Sequence, residues 1–284
     1  MTLTDTAPQD LTTLLASASV EISSRGHQVD ELRDRFAPGG DVTITYLPGD
    51  DYRHTVETAA ALRRAGFNPV PHIAAREMLS HEMFGDFLAR ARSEAGVTRI
   101  LLVAGDGARA KGPFRSSGDL GASGLIEASG IAAVSVAGHP EGHPYLDDDH
   151  ALATLQGWGD WGARMNIRVS VLSQFCFESA PIVAWMQRMH TRGIASPVIV
   201  GLAGPATLAT LTKFALRCGI GNSMRALRGQ IGRTGRLLID NGPDDVVRGL
   251  REAPRTATVA IAGFHVFPFG GLRKAADWLR ASSA

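Results

Sequence analysis

Residues 99–105 read RILLVAG, and the fold turns on what that run is. Five apolar residues stand in succession between Arg99 and Gly105. That is too short for a buried helix, and no polar position alternates through it. A strand covered on both faces accounts for it. Ahead of it lies HEMFGDFLARARSEAG (81–96), a helical pattern that closes on glycine. Beyond it comes a second apolar run, IAAVSVAG (131–138).

The same unit recurs in both directions. SVEIS (19–23), VTITYL (42–47) and PVPHIA (69–74) precede it; RVSVLSQF (168–175), PVIVGLAG (197–204) and TVAIAGFHVF (258–267) follow. Helical segments lie between them. DYRHTVETAAALRRAG (51–66) offers Asp50 or Asp51 as N-cap and Gly66 as its close. DDDHALATLQGWGDWGA, APIVAWMQRMHTRG and PATLATLTKFALRCG continue the alternation, and Pro205 suits a first helical turn. Eight such strands predict a parallel sheet buried on both faces, and at 284 residues the economical closure is a (β/α)8 TIM barrel. We expect a flexible tail over 1–14 and one barrel domain over 15–284. A doubly wound open sheet is the competing architecture. It favours a glycine-rich loop after the first strand, where SSRGHQVDE holds one glycine. The stretch 221–254 is too long for one connection and predicts extra helices before the last strand, with GRLLID imitating a strand outside the barrel.

Composition narrows the class. Hydrophobic residues make up 44%, charged residues 20%, and the formal charge is +1. No charge excess points to nucleic acid or to an anionic membrane. Arg225, Arg228, Arg233 and Arg236 form the densest basic group, read as a solvated helical face or a local anion site. Two cysteines, Cys176 and Cys218, give no disulfide framework and fit a reducing cytoplasm. MTLTDTAPQD lacks the features of a signal peptide, and no apolar run reaches the ~20 residues a membrane span needs. Homo-oligomerisation is compatible with all of this.

Chemistry in such a barrel gathers at the C-terminal strand ends. The polar residues there are Glu21, Tyr46, His72, Asp106, His139, Glu141, His143, Gln174, Glu178 and His265. Glu21 lies between Val20 and Ile22. Desolvation would raise its pKa and suit it to act as a general acid near neutrality; pairing with Arg25 at the rim is the structural alternative. Asp106 follows Gly105 in VAGDG, either a site loop or an ordinary turn. Gln174 offers a donor and an acceptor to a heterocycle, or is satisfied by backbone. Phe175 and Phe177 form an aromatic face for packing or for stacking on a planar ligand. His139, Glu141, His143, Asp147, Asp148, Asp149 and His150 cluster, but Pro140 and Pro144 forbid a regular helix there. With no HExxH or CxxC, we expect no metal and read AGHPEGHP (137–144) as a rigid pocket lip.

The order of these pieces resembles the methylenetetrahydrofolate reductases. VEIS with Glu21, PHIAA with His72, AGDG with Asp106, HPEGHP after the fifth strand, SQFCFE with Gln174 and FHVFPFGG with His265 match that family's motifs in sequence across residues 17–275. The resemblance implies reduction of 5,10-methylenetetrahydrofolate to 5-methyltetrahydrofolate with NADH or NADPH, the tetrahydrofolate being the one-carbon carrier. It implies that Glu21 protonates N10 to open the ring, with Asp106 as a second catalytic residue. It places Gln174 on the folate, a substrate side to which we add Phe175, Phe177 and His265. His72, Gly105, His139, Glu141 and His143 are expected on the cofactor side.

The chain also departs from the family. Ala104 stands where the flavoenzymes carry Arg, and His139 where they carry Tyr. GDWGARMNIRV places Gly162 and Ala163 near the positions of a basic pair, and Gly270 and Gly271 replace an Asn-Arg. These losses point to a short, divergent branch that transfers hydride directly from nicotinamide to folate without FAD. The alternatives are an FAD-dependent reductase of the same family, a non-redox folate-binding methyltransferase component, and a metal-dependent barrel hydrolase using the His cluster.

Overall fold

The computed structural model describes residues 10–25, 28–105, 109–143, 146–220, 242–253 and 259–283. Eight parallel strands close in sequence order into a barrel: β1 (Ser19–Ser23), β2 (Asp41–Thr45), β3 (Asn68–Ala74), β4 (Arg99–Val103), β5 (Ala133–Gly138), β6 (Arg168–Ser173), β7 (Val198–Ala203) and β8 (Ile261–Phe267). RILLV is β4, and each of the other seven apolar runs supplies one strand. The open-sheet alternative falls, because β1 pairs with β8.

Helices cover the outside. They are α1 (Leu11–Ala16), α2 (Gln28–Arg35), α3 (Tyr52–Arg64), α4 (His81–Ala95), α5 (Ser117–Ala122), α6 (Leu125–Ala128), α7 (Asp148–Met165), α8 (Ser179–Thr191), α9 (Leu208–Arg217), α10 (Asp244–Glu252) and α11 (Leu272–Ser282). Asp51, not Asp50, caps α3 by accepting from the Arg53 N–H, and Gly66 follows its end at φ +87°. Gly96 closes α4 in the left-handed region, as its position suggested. Pro205 is not in a first helical turn: Thr207 caps α9 through its side chain, two residues later. Residues 11–14, expected in a flexible tail, instead form part of α1, where Leu11 and Leu14 are buried; residues 1–9 lie outside the described residues. Among the described residues the extra helix between β7 and β8 is α10. GRLLID and the four clustered arginines lie outside the described residues.

Two apolar layers form. Val20, Ile22, Val42, Ile44, Ile100, Leu102, Val134 and Val136 face outward under the helices in the main core. Their neighbours along each strand therefore face the barrel axis. There Val70, Leu101 and Leu172 make a small separate core, with Val103 and Ile199 against it. At the N-terminal end Arg99 on β4 reaches across β3 to Asp41 on β2. Among the described residues no helix is long and apolar enough to cross a membrane.

Candidate active site

The strand register sorts the inward side chains into layers of four. Closure of eight strands shifts the pairing by one residue per strand, so one layer takes its residues from alternate strands. Following the pairs around the barrel gives Ser19, Val70, Ser135 and Ile199 low in the barrel. Above them come Thr43, Leu101, Leu172 and His265, and then Glu21, His72, Ala137 and Gly201. Thr45, Val103 and Phe267 lie higher, with Gln174 just past the end of β6.

Glu21 sits in the third of these layers. Its side chain is 19% exposed, and its Oε2 lies 3.5 Å from His72 Nε2. The contact joins β1 to β3 past β2, which only the barrel interior permits. Burial raises the Glu21 carboxyl to about 7, opposed by a hydrogen bond from the Thr45 hydroxyl. Burial also lowers His72 to about 3. Near neutrality the pair is therefore an acid about half protonated beside a neutral imidazole. Arg25 is not the partner of Glu21: its Nε donates to Asp50 Oδ1 at 2.6 Å instead. The Asp50 side chain is 2% exposed and also accepts from the Leu47 N–H. The rim ion pair thus exists without Glu21, which leaves Glu21 available as an acid.

His265 is fully buried one layer below Glu21, and its Nδ1 lies 2.8 Å from Ser19 Oγ. Burial, then the neighbouring His72, lowers its pKa to about 3. Its place is behind the acid, not at the mouth where a ligand would first touch. Phe175 is likewise buried, within a cluster that includes Phe177, Phe214, Phe267 and Phe269. Its ring packs edge-on against Phe177 and Phe269, the packing alternative for that strand. Phe177 is only partly buried at the edge of the cluster. Gln174 is half-buried, and its Oε1 accepts from the Phe175 N–H at 3.0 Å.

The lip after β5 is a turn. The Gly142 N–H donates to the His139 carbonyl, and Gly142 adopts φ +102°. The His139 and His143 rings meet edge to face at 4.6 Å. Burial lowers His139 to about 4, and His143 is lowered by burial and by the nearby Arg76. Glu141 takes a hydrogen bond from the Cys176 thiol, which burial pushes up. Asp147 caps α7, accepting from both the backbone N–H and Nδ1 of His150. Among the described residues no group of His, Cys, Asp and Glu is placed to hold a metal. Gly105 adopts φ +93°, with the Ala74 Cβ 3.3 Å from where its own Cβ would stand. Asp106 lies outside the described residues.

Sequence reasoning missed Arg76, which follows β3 and bonds the carbonyls of Arg115 and Gly105. A cation just past a strand end was the available signal. It also missed Thr45, because a threonine in VTITYL reads simply as a strand former. Gly162 and Ala163 prove to line a cavity of about 490 Å³ with Arg168, Val169 and Pro197, at the N-terminal ends of β6 and β7. They lie at the opposite end of the barrel from Glu21, so their lack of charge carries no information about this pocket.

The family model for methylenetetrahydrofolate reductase matches residues 24–222, well over half of the chain. Among solved structures, a Clostridium thermocellum protein, described as uncharacterised and binding two copies of 5-methyl-5,6,7,8-tetrahydrofolic acid, superposes with a TM-score of 0.65 at 10% identity. The match covers 97% of this chain and 96% of that one. A tryptophan synthase α-subunit mutant from Pyrococcus furiosus follows at a TM-score of 0.49 and 13% identity, covering 94% and 96%. These likenesses are of fold.

Proposed function

The chain belongs to the methylenetetrahydrofolate reductase family, a family of oxidoreductases, and from that premise we propose that it interconverts 5,10-methylenetetrahydrofolate and 5-methyltetrahydrofolate with NADH or NADPH by direct hydride transfer. The observation that carries the proposal is Glu21, a buried acid whose carboxyl is raised to about 7 and so keeps a proton to give near neutral pH. Methyltetrahydrofolate binding by the Clostridium thermocellum protein supports the choice of ligand.

Glu21 gives its proton to N10, and the five-membered ring opens to a cationic iminium. Hydride from the nicotinamide C4 then adds to the methylene carbon, giving the N5-methyl group, the oxidised nucleotide and a carboxylate at Glu21. His72 stays neutral beside the acid and so does not hold it in the ionised form. Ala137 and Gly201 complete the Glu21 layer; Ala137 is small and only partly buried, while the Ser173 carbonyl and the Phe267 ring occupy the space beside Gly201. Gln174 is suited to bind the pterin edge, and Phe177 to flank it. Arg76, Gly105, His139, Glu141 and His143 surround the nucleotide side, with Asp106 as the second catalytic group.

Among the described residues the cations at the mouth fit a tightly held flavin dinucleotide poorly. Arg25 is committed to Asp50, Lys111 to the buried Glu77 and Arg76 to the Arg115 and Gly105 carbonyls, while Ala104 brings no charge. No step is therefore assigned to FAD. The test is NADH labelled with deuterium at C4, incubated with methylenetetrahydrofolate. Direct transfer retains the label in the product methyl group, and the purified protein lacks a stoichiometric flavin absorbance. Loss of the label to water together with such a flavin band overturns the direct route. No nucleotide oxidation with either NADH or NADPH overturns the reductase assignment.

A further inference from the structure

Three polar atoms inside the barrel are buried and have no hydrogen-bond partner among the described residues: His72 Nε2, His265 Nε2 and Thr43 Oγ1. The register places all three around one carboxyl group. Thr43 pairs with Glu21 across β1 and β2. His265 belongs to β8, on the other flank of β1, and shares the layer beneath Glu21 with Thr43. His72 shares the layer of Glu21, at 3.5 Å, beyond a well-formed hydrogen bond. Buried polar atoms are seldom left unpaired, and three around one spot meet the two to four partners that an internal water takes. Solvent-sized space reaches this layer at Glu21, whose side chain keeps 19% of its surface exposed, and at the small, partly buried Ala137, whereas the volume beside Gly201 is taken by the Ser173 carbonyl and the Phe267 ring.

We propose that an ordered water lies directly beneath Glu21, held by Thr43 Oγ1, His265 Nε2 and His72 Nε2, and that it fixes the carboxyl in the orientation from which the proton is delivered. His265 is then a positioning residue. Ser19 Oγ holds its ring from behind through Nδ1, and the Ser19 hydroxyl also reaches the Phe264 carbonyl. Among the described residues the titratable groups facing Glu21 from the packed strands are His72 on β3 and His265 on β8. Thr43 and Thr45 on β2 add hydroxyls, and β4 presents Leu101 and Val103. The inference rests on the acid role of Glu21, but its test needs no turnover.

Two measurements on the resting protein decide it. A crystal structure fine enough to place waters is expected to show one within ~3.2 Å of both Thr43 Oγ1 and His265 Nε2. The Glu21 carboxyl, followed by carbon NMR through a pH titration, is expected to titrate about one pH unit higher in Thr43→Val. That isosteric change removes a partner that lets the water donate to the carboxylate. His265→Phe is expected to move it the same way. A dry site, or an unchanged Glu21 titration in the well-folded Thr43→Val protein, overturns the proposal. Either result leaves the reductase assignment to stand or fall on labelled hydride transfer.

Discussion

Glu21→Gln is expected to make the protein more stable while abolishing the acid step, and the gain should depend on pH. The carboxyl is raised from 4.5 to about 7 by burial. For a carboxyl raised on folding, the native state resists ionisation. Below about pH 4.5 both folded and unfolded forms are protonated and nothing is lost. Between about 4.5 and 7 the unfolded chain ionises first, and the native state loses stability progressively; above 7 the loss is complete. A tenfold change in an acid's ionisation constant corresponds to about 1.4 kcal/mol, so the full penalty is about 3 kcal/mol. Glutamine cannot ionise and escapes it. With an unfolding entropy of about 0.6 kcal/mol per kelvin for a chain of this size, the melting temperature should rise about 5 °C at pH 8.5 and hardly at all at pH 4.5. Urea unfolding of both proteins across that range measures it, and titrations elsewhere cancel in the difference. His72 and His265 stay neutral through most of the window and do not mimic the effect. A stability difference that is constant with pH, or that favours glutamate at pH 8.5, would refute the claim that Glu21 is desolvated in the folded barrel.

Gly201→Ala should destabilise by about 2 kcal/mol or more in urea unfolding, because its Cβ would stand 2.2 Å from the Ser173 carbonyl oxygen, which is backbone and cannot swing away. Arg25→Ala should cost roughly 1–3 kcal/mol by leaving the Asp50 carboxylate buried with fewer partners, yet leave the pH profile of turnover unmoved. A displaced profile would tie Arg25 to the acid after all.

The strands were legible because each is buried on both faces, so RILLV and its seven counterparts stand out as unbroken apolar runs. Glu21 was legible for the same reason: a carboxylate between Val20 and Ile22 breaks such a run on its inward side. Its partners were not. Whether Glu21 meets Arg25 or Thr45 depends on how far each strand is staggered against the next, and stagger is a property of closure, not of any one segment. The same holds for Gly162 and Ala163. Their position near the end of a helix looked comparable to a basic pair, but α7 descends to the barrel's far end before its C-terminus.

The layers also explain where the core stops and the site begins. Val70, Leu101 and Leu172 fill the lower barrel with apolar volume, and the helix-facing core supplies most of the burial. Beside the two leucines and one step above them, the chain replaces bulk by His265 and by Glu21 and His72, none of which adds what a packed leucine would. Such a substitution is tolerable only because the outer core is large, and useful only if the carboxyl remains protonated near neutrality. Two neutral imidazoles meet that requirement, since a cation in either place would pull the proton off Glu21. Converting His72 to arginine should therefore return the carboxyl toward its ordinary range and abolish its use as an acid, and a carbon NMR titration that still finds Glu21 protonated near pH 7 in that variant would break the link between the neutral imidazoles and the acid.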